Sequence, residues 1–490
     1  MKLPPLTAAL LAVTSALSAQ PFQPTWASID RRATPAWFEE AKFGIFIHWG
    51  VYSVPSYAPV VPGKLAYAEW YWNAMTQGRN GSTDPVQAGT WAFHRARYGE
   101  DYDYQDLAPE FRAELFDPDR WADVFLRSGA RYVVLTSKHH EGFALWPSRE
   151  ASATWGRPWS SVEIGPKRDL LGDLTRAVRA KGLKAGFYYS LYEWYNPLWL
   201  SNKPRYVREH MTPQFKDVVT RYEPSIIFAD GEWELPSDEW KSPELLAWLF
   251  NDSKVRDEVV INDRWGKETR HRHGGYWTTE YTPGMSDTEH PWEESRGMGF
   301  SYGYNRAERL THYHTSRELV TILVDIVSRG GNLLLDIGPA ADGTIPVIME
   351  ERLAEIGSWL KTNGEAIYGT RPFSTPLQWS AGERPKVSYN QEFNADYDVS
   401  KLTREQGPGR ASIEAFFTAK GRDVYAILPR WPGRRFVLRG AAATGVRGVS
   451  LLGSTAPVRF AVSGPEVVVD LPDLPEALLG QPAWVLKVLR

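Results

Sequence analysis

Between about residues 40 and 370 the chain alternates short, almost continuously apolar runs with longer amphipathic stretches. The runs are GIFIHW at 44–49, YVVLTS at 132–137, KAGFYYS at 184–190, SIIFAD at 225–230, EVVIND at 258–263, GYWTTE at 275–280 and NLLLDIG at 332–338. Strands covered on both faces lose the in-out alternation of a half-exposed sheet, so these runs predict buried parallel strands. Between them, DLLGDLTRAVRAKG at 169–182 sets Leu170, Leu171, Leu174, Ala177 and Val178 on one helical face and ends in basic residues and Gly182. A second helix is predicted around 317–328. This βαβ rhythm predicts an α/β fold, a TIM-like (β/α) barrel of eight units over residues 20–375.

After Tyr368 the texture changes. A stretch rich in Pro, Ser and Thr at 370–386 leads into hairpin-like segments, ASIEAFFTAKGRDVYAIL, RRFVLRG, EVVVDL and AWVLKVL. They predict a C-terminal β-sandwich over 376–490. Residues 59–105, rich in Gly, Asn, Tyr and Trp, read as a long loop over one barrel end. At the other extreme, residues 1–19 carry Lys2, an uncharged apolar stretch and small residues at Ala16, Ser18 and Ala19. This is the pattern of a secretory signal peptide cleaved near Ser18 or Ala19, too short to span a membrane. No later segment has the roughly 18 uncharged apolar residues of a spanning helix. Export is expected, to the periplasm or the medium of a bacterium.

Composition narrows the chemistry. The 490 residues carry 56 Lys plus Arg against 59 Asp plus Glu, a net charge of −3, which gives no overall attraction for nucleic acid or anionic lipid. With no Cys, thiol nucleophiles and thiolate zinc sites are excluded. A neutral partner is expected, and a homo-oligomer is left open.

Nearly every apolar run ends in a residue able to do chemistry: His48, His139 with His140, Tyr189, Asp230, Arg264 and Glu280. All strands of a parallel barrel point one way, so these ends meet at one rim, where such barrels hold their active sites. A metal reading would need His48 and Asp230 beside the paired histidines, but no HxH or HExxH spacing supports it, and no metal or cofactor is expected. Neutral imidazoles that donate and accept hydrogen bonds suit a polyhydroxylated ring equally. Asp230 in FADGEWE ends a buried strand, and the following Gly231 permits a sharp turn. Cleaving a glycosidic bond takes a second carboxylate, and Glu280, Glu289, Glu293 and Glu294 all lie downstream. Glu69 and Trp70 in AEWYW read as a polar and stacking pair.

The segments FGIFIHWGVYSVP, EWYW, SKHHEGFALW, GPKRDLLGDL, GFYYSLYEW, DGEWE, NDRWG, GGNLLLDIGP and NGEAIYGT occur in this order over residues 37–370. Together they strongly resemble the α-L-fucosidase family of retaining glycoside hydrolases. The resemblance implies a TIM-like barrel with a C-terminal β domain, cleaving terminal α-L-fucose from glycans without metal or organic cofactor. It places the nucleophile at Asp230 and the fucose pocket at His48, Glu69, Trp70, His139, His140, Tyr189 and Arg264. The acid/base varies in position within the family; Glu280 is the choice here and Glu293 the runner-up. The chain departs from the pattern at Phe228, where Trp is common, and by an insertion near 75–100, so linkage preference is left open. Two other readings remain: a retaining glycosidase for a galactose-configured sugar, and an inactive fucose-binding protein, which would be expected to lack one carboxylate.

Overall fold

The computed structural model describes residues 21–285, 289–386 and 398–490. The expected signal peptide lies outside the described residues. Eight parallel strands form one curled sheet: β1 (Phe43–Ile47), β2 (Tyr132–Lys138), β3 (Lys184–Ser190), β4 (Ile226–Asp230), β5 (Val260–Ile261), β6 (Trp277–Glu280), β7 (Trp292–Gly297) and β8 (Asn332–Ile337). Their order is β5-β4-β3-β2-β1-β8-β7-β6. The two edges meet at a single parallel bridge, Asn262 opposite Tyr276, with Tyr276 N–H donating to the Ile261 carbonyl at 3.0 Å.

The runs expected as strands all contribute, but an eighth strand, β7, has no apolar run. Its sequence is WEESRG, yet Glu293 and Glu294 are both buried. Each carboxylate has its own donors: the Tyr132 hydroxyl for Glu293, and Thr279 Oγ1, Thr282 N–H and Arg296 for Glu294. Glu294 is satisfied on both oxygens, Glu293 through Oε2 alone with Oε1 left without a partner among the described residues, and no hydropathy pattern announces such a strand.

The (β/α) alternation is also incomplete. Helices cover most crossovers, including Leu170–Ala180 and Ser316–Ser328 close to their expected limits, but no helix among the described residues follows β5 or β6. The region expected as a long loop at 59–105 is instead largely helical, with Tyr71–Arg79 packed on Pro85–Arg97. Asp84 caps the second helix through Val86 N–H at 2.9 Å, and Pro85 occupies its first turn. The clustered Tyr and Trp that read as loop texture belong to helix faces, with Tyr71 and Trp72 buried.

Inside the barrel, inward residues from successive strands pack together: Phe46, Tyr132, Val134, Tyr188, Ile226, Phe228 and Leu334. Space for these rings is made by glycine. A Cβ at Gly44 would stand 2.3 Å from the Tyr132 ring, so any other residue there would expel it. The outward face of each strand packs instead on the helices, as Trp121 and Phe125 do from helix Pro118–Arg127.

The C-terminal region holds a five-stranded antiparallel sheet, with β9 (Arg371–Trp379), β10 (Ile413–Lys420), β11 (Asp423–Leu428), β13 (Gly448–Leu451) and β16 (Trp484–Leu489). A three-stranded sheet of β12 (Arg435–Arg439), β14 (Arg459–Ser463) and β15 (Glu466–Asp470) completes it. Phe417, Leu428, Leu438, Val467 and Val488 from both sheets share one core. Strand β9 runs across the expected boundary between 375 and 376. The barrel's helices hold this region: Trp359 Nε1 donates to the Ala483 carbonyl at 2.8 Å and Arg317 Nη1 to that of Pro482 at 2.7 Å.

Candidate active site

At the C-terminal ends of the strands a cavity of about 500 Å³ opens. Phe46, Tyr67, Tyr188, Phe228 and Tyr302 form apolar walls, and His48, Glu69, Trp70, His139, His140, Asp230, Arg264 and Glu280 also border it.

Arg264 organises the acidic side. Its Nη1 lies 2.8 Å from Asp230 Oδ1, its Nη2 lies 3.0 Å from Glu280 Oε2, and its Nε donates to Thr278 Oγ1 at 3.0 Å. Thr278 in turn donates to Asp263 Oδ1 at 2.7 Å, so every edge of the guanidinium is fixed. The cation also lies over the Phe228 ring, 4.9 Å from its centroid. One planar group from the end of β5 thereby holds carboxylates from the ends of β4 and β6 side by side. Burial would raise the Asp230 carboxyl, but Arg264, then His140 and Arg270, outweigh it and hold it at about 2. Asp230 is therefore an anion at neutral pH, with Tyr188 donating to its Oδ2 at 2.9 Å.

The histidines are polarised by their second contacts. Ser190 Oγ gives its hydrogen to the Tyr192 carbonyl at 2.6 Å, so it accepts from His140 Nδ1–H, also at 2.6 Å. Burial pulls His140 down to about 4, and its Nε2 sits at the cavity wall 3.5 Å from Asp230 Oδ2. His48 Nδ1 meets buried Asp336 Oδ1 at 2.7 Å, leaving Nε2 for the cavity, and burial likewise holds His48 down at about 3. His139, wholly buried, is pushed well below its ordinary value and stacks on Tyr188. Glu69 accepts the Gly303 N–H at 2.8 Å, and burial pushes its carboxyl up to about 8. Trp70 meets His140 edge-on with centroids 5.6 Å apart. A wall of neutral nitrogens and oxygens beside aromatic faces can grip a small polyol through both its hydroxyls and its C–H surface.

Two expected residues are not brought to the cavity. Tyr189 points the other way, its hydroxyl donating to Gln214 Oε1 at 2.8 Å behind the sheet. Successive strand residues face opposite sides, and it is Tyr188 that faces inward. Glu293 faces the barrel interior but one layer deeper, against Tyr132, and does not border the cavity, whereas Ser295, two residues on, does. Several lining residues had no sequence signal of their own. Arg270 reaches Glu232 from the loop after β5, and Tyr302 arrives from beyond β7. Trp233 lies within the quoted DGEWE segment, but nothing in its spacing marked it as a cavity residue. Among the described residues no three His, Cys, Asp or Glu side chains gather as a metal site, and no helix is long and apolar enough to cross a membrane.

The family model for α-L-fucosidase matches residues 9–365, and that for the α-L-fucosidase C-terminal domain matches residues 411–489. The chain belongs to the α-L-fucosidase family. It is thus a glycoside hydrolase. It is 44% identical to an α-L-fucosidase of Dictyostelium discoideum over 373 residues, covering 74% of this chain and 78% of that protein. Human tissue α-L-fucosidase is 38% identical over 493 residues, covering 97% and 94% of the two chains. Among solved structures, the Thermotoga maritima α-fucosidase in complex with fucose superposes with a TM-score of 0.75 at 32% identity, covering 96% of this chain and all of that one. The match spans barrel and β domain together, as this fucosidase fold does here.

Proposed function

We propose that this protein is an exo-acting, retaining α-L-fucosidase that removes terminal α-L-fucose from exported or extracellular glycans. The observation that carries the reading is the fork of Arg264 between Asp230 and Glu280 inside a cavity with room for a sugar ring. Two carboxylates bound to neighbouring nitrogens of one guanidinium suit the close spacing of about 5–5.5 Å used by retaining enzymes, not the wider gap that holds a water between them. Residues 1–19 support export to the periplasm or medium.

In this mechanism ionised Asp230 attacks the anomeric carbon while protonated Glu280 gives its proton to the departing oxygen. A covalent fucosyl-enzyme forms and the aglycone leaves. Glu280, now a base, takes a proton from water, which attacks the same carbon and frees Asp230 with net retention. Tyr188 and Arg264 keep Asp230 ionised and aimed. His48, His140, Glu69 and Trp70 bind ring hydroxyls and the C–H face.

The test separates the two carboxylates. Asp230→Gly should abolish turnover even of aryl fucosides, and azide entering the vacated space should yield the inverted β-fucosyl azide. Glu280→Ala should retain the first step on an activated aryl leaving group, slow the second, and give the retained α-fucosyl azide. Appreciable activity of Asp230→Gly without azide would remove the nucleophile. If Glu293→Ala shows the Glu280→Ala pattern, and Glu280→Ala stays near wild type, the acid/base is Glu293.

A further inference from the structure

The cavity opens beside a lip built from two loops. Trp233, on the loop after β4, borders the cavity and is 38% exposed, its ring standing edge-on to His140 and Tyr192 with centroids 5.4 and 5.8 Å away. Lys267, on the loop after β5, borders the same cavity and is exposed. The loops are tied together. Lys267 N–H donates to the Leu235 carbonyl at 3.1 Å and Ser237 N–H to Glu268 Oε1 at 3.0 Å. Gly266 lies so close that a Cβ there would stand 2.5 Å from Ser237 N. An exposed Trp and an exposed Lys therefore border the cavity together on a braced edge.

The neighbouring charges are already matched. Asp230 and Glu280 share Arg264, Glu232 holds Arg270, and Glu234 meets Lys203 at 3.2 Å. Among the described residues no carboxylate lies within ion-pair distance of Lys267. An exposed indole at the mouth of a sugar pocket offers a flat apolar face to the C–H side of a second ring. An unmatched cation beside it offers a partner to a negative substituent on that ring.

We propose that Trp233 and Lys267 form the subsite for the departing sugar, and that it prefers a sugar bearing an anionic substituent, a carboxylate or a sulfate ester. The proposal rests on the fucosidase reading and adds the class of aglycone. An exposed ion pair is worth little, so the preference should be about two- to fivefold and should fade as salt screens the charge.

The experiment compares kcat/KM for fucosyl-galactose, in the linkage the enzyme cleaves best, with two counterparts: one sulfated on the galactose primary hydroxyl, the other with that carbon oxidised to a carboxylate. At low salt one or both anionic substrates should be preferred about two- to fivefold, and which one is preferred identifies the anion. The preference should collapse at ~0.5 M salt and in Lys267→Gln, and reverse in Lys267→Glu. Trp233→Ala should raise KM for all three disaccharides more than for a fucoside with a methyl aglycone. Equal or poorer use of both anionic substrates, or a preference that survives Lys267→Gln, overturns the proposal and leaves the fucosidase reading standing. Hydrolysis of no fucoside at all overturns both.

Discussion

Lys138 Nζ lies 2.8 Å from Glu193 Oε1 in a place where neither side chain has any solvent exposure. The Glu193 carboxylate also accepts from His210 Nε2, Trp155 Nε1 and Asn196 Nδ2, each at 2.7 Å. Burial opposes this charge, but His210 and Lys138 outweigh it and keep the carboxyl well below its ordinary range. Lys138 immediately precedes His139 and His140, and Glu193 precedes Trp194, whose N–H bonds the His140 carbonyl at 2.8 Å. Removing one member of a buried pair strands the other, at about 3–5 kcal/mol. Lys138→Met should therefore lower unfolding free energy by about that amount in denaturant titrations. A loss below ~1 kcal/mol would mean water relieves Glu193.

The opposed tyrosines of β3 can be told apart kinetically. Tyr188→Phe removes a donor to ionised Asp230, a bond worth about 1.5–3 kcal/mol, so kcat/KM should fall about 10–150-fold. Tyr189→Phe loses a bond behind the sheet and should leave kcat/KM near wild type while costing about 1 kcal/mol of stability. Equal kinetic losses in the two variants would contradict this division.

The pH profile should report Arg264. A carboxylate held at about 2 is active above that value and lost only as pH falls through it, so Asp230 should set no acid limb in the ordinary working range. In Arg264→Gln the burial effect stands with less to oppose it, and Asp230 should take up its proton at higher pH. An acid limb in kcat/KM should then move upward by a unit or more, alongside an overall loss of rate. A variant whose acid limb stays where the wild type has it would remove Arg264 as the source of the low value.

Glu293 makes an opposite statement about stability. Burial pushes its carboxyl up to about 8, well above the ~4.3 of an unfolded chain. The folded state then holds an extra proton between those values. Its contribution is complete below the unfolded value and is lost as pH rises toward 8. Glu69 and Glu141, also near 8, act in the same sense. Unfolding free energy should decline from about pH 5 to 8, and Glu293→Gln should flatten part of that slope. An unchanged slope would show that Glu293 titrates alike in both states.

Much of the site was legible because hydrophobic runs mark strands, strands of a parallel barrel end at one rim, and their terminal residues therefore meet. Asp230, Arg264 and Glu280 come together for that reason. Tyr189 was misplaced because the near-continuous apolar run of β3 hides which parity faces inward; Tyr188 and Tyr189 differ in the fold, not in hydropathy. Strand β7 went unread because its burial rests on paired carboxylates, which a sequence window scores as exposed. The helices at 71–97 were masked by Gly, Asn and Trp, whose propensities are overridden by packing onto the barrel end. Arg270 and Tyr302 reach the cavity from loops, where no periodicity exists to point at them.

The bridge between Asn262 and Tyr276 gives the catalytic groups a mechanical part. A closed barrel bears load as a hoop does, and this hoop is thinnest where β5 meets β6, with one ladder rung and no helix behind either neighbouring turn among the described residues. Arg264 leaves β5 and Glu280 ends β6, so the hydrogen bond from Arg264 Nη2 to Glu280 Oε2 also clasps the two ends of the hoop. Strength at that joint and reactivity in the pocket are drawn from the same contact. Engineering one at Arg264 will move the other.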